Sequence, residues 1–329
     1  MVYLLAVQSR ITLRYDCDGW KCAQVRHFTC HATRHLLSSI FSSQPFEFVV
    51  QGKVYFIHRA LVAKLSAPLD RLINGGMSEA QNGTAILKDE DEATFSRFCH
   101  WAYTGFYHAA EISERPKPEV STSEELDEVG GLGRFRFYWF QQQAHRLAAP
   151  PSPPDLNPPM PRKIKKPTYS SSSFLESASP PSKQEILKLA FLTLQYCKPD
   201  DARPTWVPPA NTAPTEDYTG TLLSHAKLYV FSEKFDIQPL KRLVLKNVHQ
   251  TLSAFTLWPD CVGDIVSLLS FIYDSTIKAR NGDEPMRRML SQYVGYEMDR
   301  MVEAAAFRDL LERDRDFLDD FCFQVRKRI

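Results

Sequence analysis

The chain has 329 residues, enough for one or two domains with real cores. Hydrophobic residues at 43% and aromatics at 12% exclude wholesale disorder, and a net charge of +1 calls for neither nucleic acid nor an anionic membrane as partner. No apolar run approaches the roughly 20 residues of a membrane helix. Seven cysteines without a CxxC pair point to a reducing compartment, cytoplasm or nucleus, rather than to a disulfide framework.

Residues 1–43 read as an N-terminal extension. Met1 to Val7 is apolar, but neither a basic stretch before it nor a small-residue cleavage site after it makes it a secretory signal. Ile11, Leu13 and Tyr15 alternate with polar residues, Asp18-Gly19 follows, and Trp20 and Cys22 resume the alternation. An Asp-Gly pair between alternating runs predicts a hairpin, because both turn positions need positive φ. The same extension holds Cys17, Cys22, His27, Cys30, His31 and His35. Zinc requires four converging soft or borderline ligands, and these residue types supply them, but at no common zinc-finger spacing. Ordinary cysteines and histidines of an extension are the plainer reading; a zinc-dependent nucleic-acid binder is the alternative.

The segment 44–108 is dense with periodic signals. Phe46, Phe48 and Val50 alternate with Glu47, Val49 and Gln51, and a turn at Gly52-Lys53 leads into Val54 to Ile57, which predicts a β-hairpin with one buried face. His58 to Ile73 is helical in spacing through Leu61, Leu65, Leu69, Leu72 and Ile73, with a break or fresh start forced by Pro68. Thr84 to Leu87 predicts a short strand. Asp91 is an N-cap candidate for a helix whose buried stripe is Phe95, Phe98, Cys99, Ala102 and Tyr103, stopped by Gly105.

From 109 to 217 the composition shifts to proline and serine, with ten prolines between Pro150 and Pro181, and predicts a disordered insertion dispensable for folding. Two islands interrupt it: the aromatic run from Arg134 to Leu147, and Lys183 to Tyr196, where Ile186, Leu189, Ala190 and Leu194 have helical spacing. Arg162 to Lys166 is basic and reads as either a solvated stretch or a nuclear localisation patch.

Helical periodicity returns at 218. Leu222, Ala226, Tyr229 and Val230 share one face, and Pro239 opens a helix carrying Leu240, Leu243, Val244, Val248 and Leu252. Residues 255–329 predict three more: one over Ile265, Leu268, Leu269, Ile272 and Ile277, one from Pro285 with Met289, Leu290, Tyr293 and Met301, and one from Phe307 to Phe323.

His58-Arg59-Ala60-Leu61, Ser66, Gly76-Met77-Ser78-Glu79-Ala80 and Tyr103-Thr104-Gly105, followed by His225-Ala226-Lys227, Tyr229-Val230, Lys234-Phe235 and Leu240, resemble in order and spacing the BTB/POZ domain. The likeness is closest to BTB proteins of filamentous fungi with a proline-rich insertion after the Tyr-Thr-Gly. Pro45 stands where many members place an acidic residue. The resemblance implies an α+β fold: a BTB/POZ-like helical cluster capped by a small β-sheet, followed by C-terminal helices. Its first part would be 44–108 and its completing helices 218–254.

The resemblance also implies function. Such domains are non-enzymatic protein-interaction modules, either homodimerising scaffolds or adaptors for cullin-type ubiquitin ligases, and Met77-Ser78-Glu79 matches the hydrophobic-x-Glu element such adaptors use. An exposed methionine fills a partner's pocket adaptably while a neighbouring carboxylate sets register. The plainer alternative is Met77 folded back on its own helix beside a solvated Glu79. No catalytic motif of nucleotide, zinc-protease or serine-hydrolase type occurs. His58 has no acidic neighbour in sequence and reads as a packed, hydrogen-bonded ring, and Cys99 as core. Neither a cofactor nor a small-molecule substrate is expected; partners are proteins, among them a second copy or a cullin.

Overall fold

The computed structural model describes residues 39–115, 181–196, 210–277 and 284–328. In chain order these form β1 (Pro45–Val50), β2 (Lys53–His58), α1 (Arg59–Leu65), α2 (Ala67–Asn74), α3 (Ser78–Asn82), β3 (Thr84–Leu87), α4 (Glu92–Thr104) and β4 (Ser113–Glu114). They continue with α5 (Lys183–Leu192), β5 (Glu216–Asp217), α6 (Thr219–Lys234), α7 (Gln238–Ala254), α8 (Val262–Ser275), α9 (Pro285–Met301), α10 (Ala305–Arg313) and α11 (Arg315–Arg328). The chain is thus mixed α and β, mostly helical. It divides into two compact units, residues 1–108 with 227–241, and 109–226 with 242–329.

In the first unit the expected hairpin forms, but its turn falls one residue earlier than the sequence suggested. Gln51 and Gly52 have φ of 47° and 82°, the pair of positive values a tight two-residue hairpin turn needs, and Lys53 already belongs to β2. Phe46, Phe48 and Val50 are buried as the alternation predicted. β3 pairs parallel to β1, giving the order β2-β1-β3, and α1 to α3 supply the crossover a parallel pair requires.

The helical run after β2 breaks at Ser66, two residues before Pro68. Ser66 Oγ accepts from the Leu69 amide at 3.1 Å, capping α2, and Pro68 occupies the first turn, where no N–H is needed. Asp91 caps α4 by accepting from the Thr94 amide at 3.0 Å, and Gly105, at φ 80°, ends it. The buried stripe of α4 is Thr94, Phe95, Phe98 and Trp101. The expected stripe holds at Phe95 and Phe98 but not at its other positions: Cys99 and Ala102 are only partly buried and Tyr103 is exposed. Aromatic packing sets this rotation, because Phe95 meets Phe48 at 5.3 Å between ring centroids and Phe98 meets Phe231 at 5.0 Å. Residues 227–241 complete this core. Besides Phe231, Ser66 Oγ donates to the Phe235 carbonyl at 2.6 Å and Lys234 Nζ to Glu90 at 2.6 Å.

The second unit is helical, with a two-stranded ribbon of β4 and β5. It corrects the reading of 109–217 as a disordered insertion interrupted by two islands, since three of its parts, the island of α5 among them, are built into this unit. Arg115, following β4, bonds Asp264 through both carboxylate oxygens at 2.9 Å. Asp264, 1% exposed, also accepts from the Tyr218 amide at 3.1 Å and the Thr219 hydroxyl at 3.0 Å. Asn211 and Thr256 exchange two hydrogen bonds, of 2.6 and 2.7 Å. α5 begins with a reciprocal capping box between Ser182 and Glu185 and buries Phe191 against His249, Tyr293 and Tyr296. Arg115 and Asn211 are single residues in polar surroundings and carry no periodic signal, whereas α5 was legible as a helix but not in the face it buries, since Ile186 and Leu189 are exposed. The aromatic island 134–147 and the basic run 162–166 lie outside the described residues.

α7 buries Leu240, Val244, Val248 and Leu252 as expected, while Leu243 is half-buried. α8 buries Ile265, Leu268, Leu269 and Ile272, but ends at Ser275, leaving Ile277 beyond it and 88% exposed. α9 opens at Pro285 and buries Met289, Leu290, Tyr293 and Met301. The single last helix expected is two. Asp314 has extended backbone and its carboxylate accepts from the Phe317 amide at 2.8 Å, so it ends α10 and caps α11. Phe307 then packs edge-on against Phe317 and Phe321, and Phe323 is exposed. A Cβ at Gly295 would lie 2.8 Å from the Gln324 Cβ, so α9 and α11 approach closely there.

Candidate protein-binding site

The stub between α2 and β3 presents Met77, Ser78 and Glu79. α2 ends at Asn74 with Gly75 as its C-cap. A Cβ on Gly75 would sit 2.2 Å from the Arg71 carbonyl oxygen, which excludes any side chain there. Met77 has extended backbone and is the N-cap of α3, its carbonyl accepting from the Gln81 amide at 3.3 Å. Its side chain is 56% exposed and therefore does not fold back into the core. The Ser78 hydroxyl donates to Glu79 Oε2 at 3.1 Å, and Gly83, in the left-handed region at φ 72°, closes the helix.

The stub is short but braced by Arg59. Arg59 Nη1 donates to the Ile73 carbonyl at 2.8 Å, fixing the end of α2, and the guanidinium lies over the Phe46 ring at 4.8 Å. Arg59 Nη2 also sits 3.6 Å from where a Cβ on Gly83 would stand, so one side chain abuts both ends of the stub. The site thus offers an exposed flexible thioether, a hydroxyl and a half-buried carboxylate on a short helical turn. That chemistry suits contact with another protein's surface: apolar area to bury, and one charge to orient.

The remaining sequence candidates do not converge on this stub. The His58 ring Nδ1 lies 2.8 Å from the Tyr103 hydroxyl, which also accepts from the His58 amide at 3.1 Å, and Phe41 packs edge-on against the ring. It is a packed, bonded ring, but its main partner is a side chain rather than backbone. Burial pushes the Cys99 thiol up to about 12, which makes it a poor nucleophile. The N-terminal hairpin and the cluster Cys17, Cys22, His27, Cys30, His31 and His35 lie outside the described residues. Among the described residues no group of three His, Cys, Asp or Glu side chains is placed to hold a metal ion, and no helix is long and apolar enough to cross a membrane.

Sequence reasoning missed α3 and the bracing by Arg59. Five residues, Ser78 to Asn82, are too few for a periodic signal, although Asn82-Gly83 marks its end. The chain matches no family model and no curated protein.

Proposed function

We propose that this chain is a non-enzymatic protein-interaction module of the BTB/POZ kind, binding a partner along the edge that carries Met77, Ser78 and Glu79. What supports the reading most is one arrangement. A hairpin, a pair of helices, an exposed methionine stub, a third strand and an Asp91-capped helix form a unit that residues 227–241 re-enter through Ser66 and Phe235. In this reading the chain is an adaptor with a cullin as partner, or a scaffold pairing with a second copy of itself.

The deciding experiment is the double substitution Met77→Ala with Glu79→Ala. Binding to a cullin N-terminal region and thermal melting are measured on the same samples. Truncating a central interface anchor commonly costs about 2 kcal/mol, roughly thirtyfold in affinity. Loss of binding with unchanged melting supports the adaptor. If the unmutated protein binds no cullin, the adaptor reading fails, and the molar mass in solution then decides whether the chain pairs with itself.

A further inference from the structure

The sheet of the first unit has two unlike faces. Its inner face is core. On the outer face, cross-strand register sets Val54, Val49 and Ile86 in one row and Phe56, Glu47 and Thr84 in the next. Val54, Phe56 and Ile86 are 48%, 63% and 62% exposed. A one-sided antiparallel hairpin normally turns polar side chains to water, and contiguous exposed apolar side chains mark a surface that something covers. At the centre of this patch Glu47 makes no ion pair with any described residue.

We propose that residues 1–38 of this same chain dock on that face, apolar side chains on the Val54–Val49–Ile86 row and a basic one against Glu47. Three observations converge. The segment joins the described structure at the strand end that carries the patch: Phe41 packs edge-on at 5.5 Å against His58, the last residue of β2, two positions after Phe56. Its charge is complementary, with Arg10, Arg14, Lys21, Arg26 and Arg34 against only Asp16 and Asp18. Its apolar residues Ile11, Leu13, Tyr15 and Trp20 supply matching surface, and at about 3.3 Å per residue a segment of this length spans strands of six, six and four residues easily. A tether of this kind gives an effective concentration in the millimolar range, so a weak contact suffices. A second copy docking face to face would bring one Glu47 towards another, which opposes self-pairing on this face.

The test is limited trypsin digestion of the full chain, reading by mass the rate at which residues up to Arg34 are lost. Phe56→Ser with Ile86→Thr keeps strand-compatible residues while removing apolar area. Loss of those contacts is expected to speed release about tenfold, with melting unchanged. An unchanged rate overturns the proposal. So does a self-associated protein that the variant dissociates without altering the cleavage rate, which would assign the face to a second copy. If melting falls, Glu47→Lys decides: release is expected to accelerate severalfold by repulsion, and an unaltered rate overturns the proposal.

Discussion

The Ser66 hydroxyl donates to the carbonyl oxygen of Phe235, 169 residues further along the chain, while the same oxygen caps α2. One buried side chain therefore both starts a helix and binds the returning segment. Ser66→Ala removes the cap and takes away that carbonyl's hydroxyl donor, and the expected loss is about 2 kcal/mol. Denaturant unfolding of the full chain, followed in the first unit, measures it. A loss under half a kcal/mol would mean that water replaces the hydroxyl freely.

Arg59→Ala is expected to loosen residues 74–83 more than the rest of the first unit. It withdraws the donor to the Ile73 carbonyl and the cation over Phe46, each worth about 1 kcal/mol. Hydrogen exchange resolved by peptide checks this, with faster exchange over the stub and little change in α4.

Asp264 gathers donors from Arg115, Tyr218 and Thr219 while 1% exposed. Removing one partner of a buried ion pair costs about 3–5 kcal/mol. Asp264→Ala also takes the acceptor from the Tyr218 amide and the Thr219 hydroxyl, whereas Arg115→Ala leaves Asp264 those two donors, so Asp264→Ala should cost more than Arg115→Ala, and the double variant less than their sum. For the same reason, replacing 110–216 with a short linker is expected to abolish the cooperative transition of the second unit. An exchange confined to 117–180 leaves these anchors in place and should preserve it.

His249 Nε2 donates to the Phe191 carbonyl at 2.8 Å. Burial holds its imidazolium below the ordinary value, and the bond to Phe191 offsets only part of that. The unfolded chain therefore takes up a proton as pH falls below about 6.5, where the folded chain does not, so stability declines with acidification and is flat above that value. Exchange protection of α5 should drop between pH 7 and 5. His249→Gln, which keeps a donor without a titrating ring, should remove that dependence.

Strand and helix identities in the first unit were legible because one face of each is buried continuously: Phe46, Phe48 and Val50 at period two, Leu61, Leu69 and Ile73 at helical spacing. The stripe of α4 was misjudged because Trp101 and Tyr103 are equally aromatic, and only the position of Phe48 and Phe231 decides which of them turns inward. Met77 and Ser78 could be read as exposed from the flanking Gly75-Gly76 and Asn82-Gly83, while Glu79 is half-buried. Arg59 could not be read as their brace, since its contacts join Phe46, Ile73 and Gly83, positions far apart in sequence. Phe191 was missed because the periodicity of its helix was read on the face of Ile186 and Leu189, which are 52% and 64% exposed, and Arg115 because one residue carries no periodic signal.

The division of the first unit into two stretches of chain has a consequence for its birth on the ribosome. Phe95 and Phe98 are made well before Phe231, their packing partner, and the unit lacks its last piece from residue 108 until residue 241 has been added. At a synthesis rate of about 5–20 residues per second, that interval lasts roughly 7–27 s. Throughout it Phe95 has Phe48 beside it but Phe98 lacks Phe231, and Ser66 has no carbonyl to meet. Slower translation between residues 108 and 241 would lengthen the time for which this part of the core waits for its completing segment.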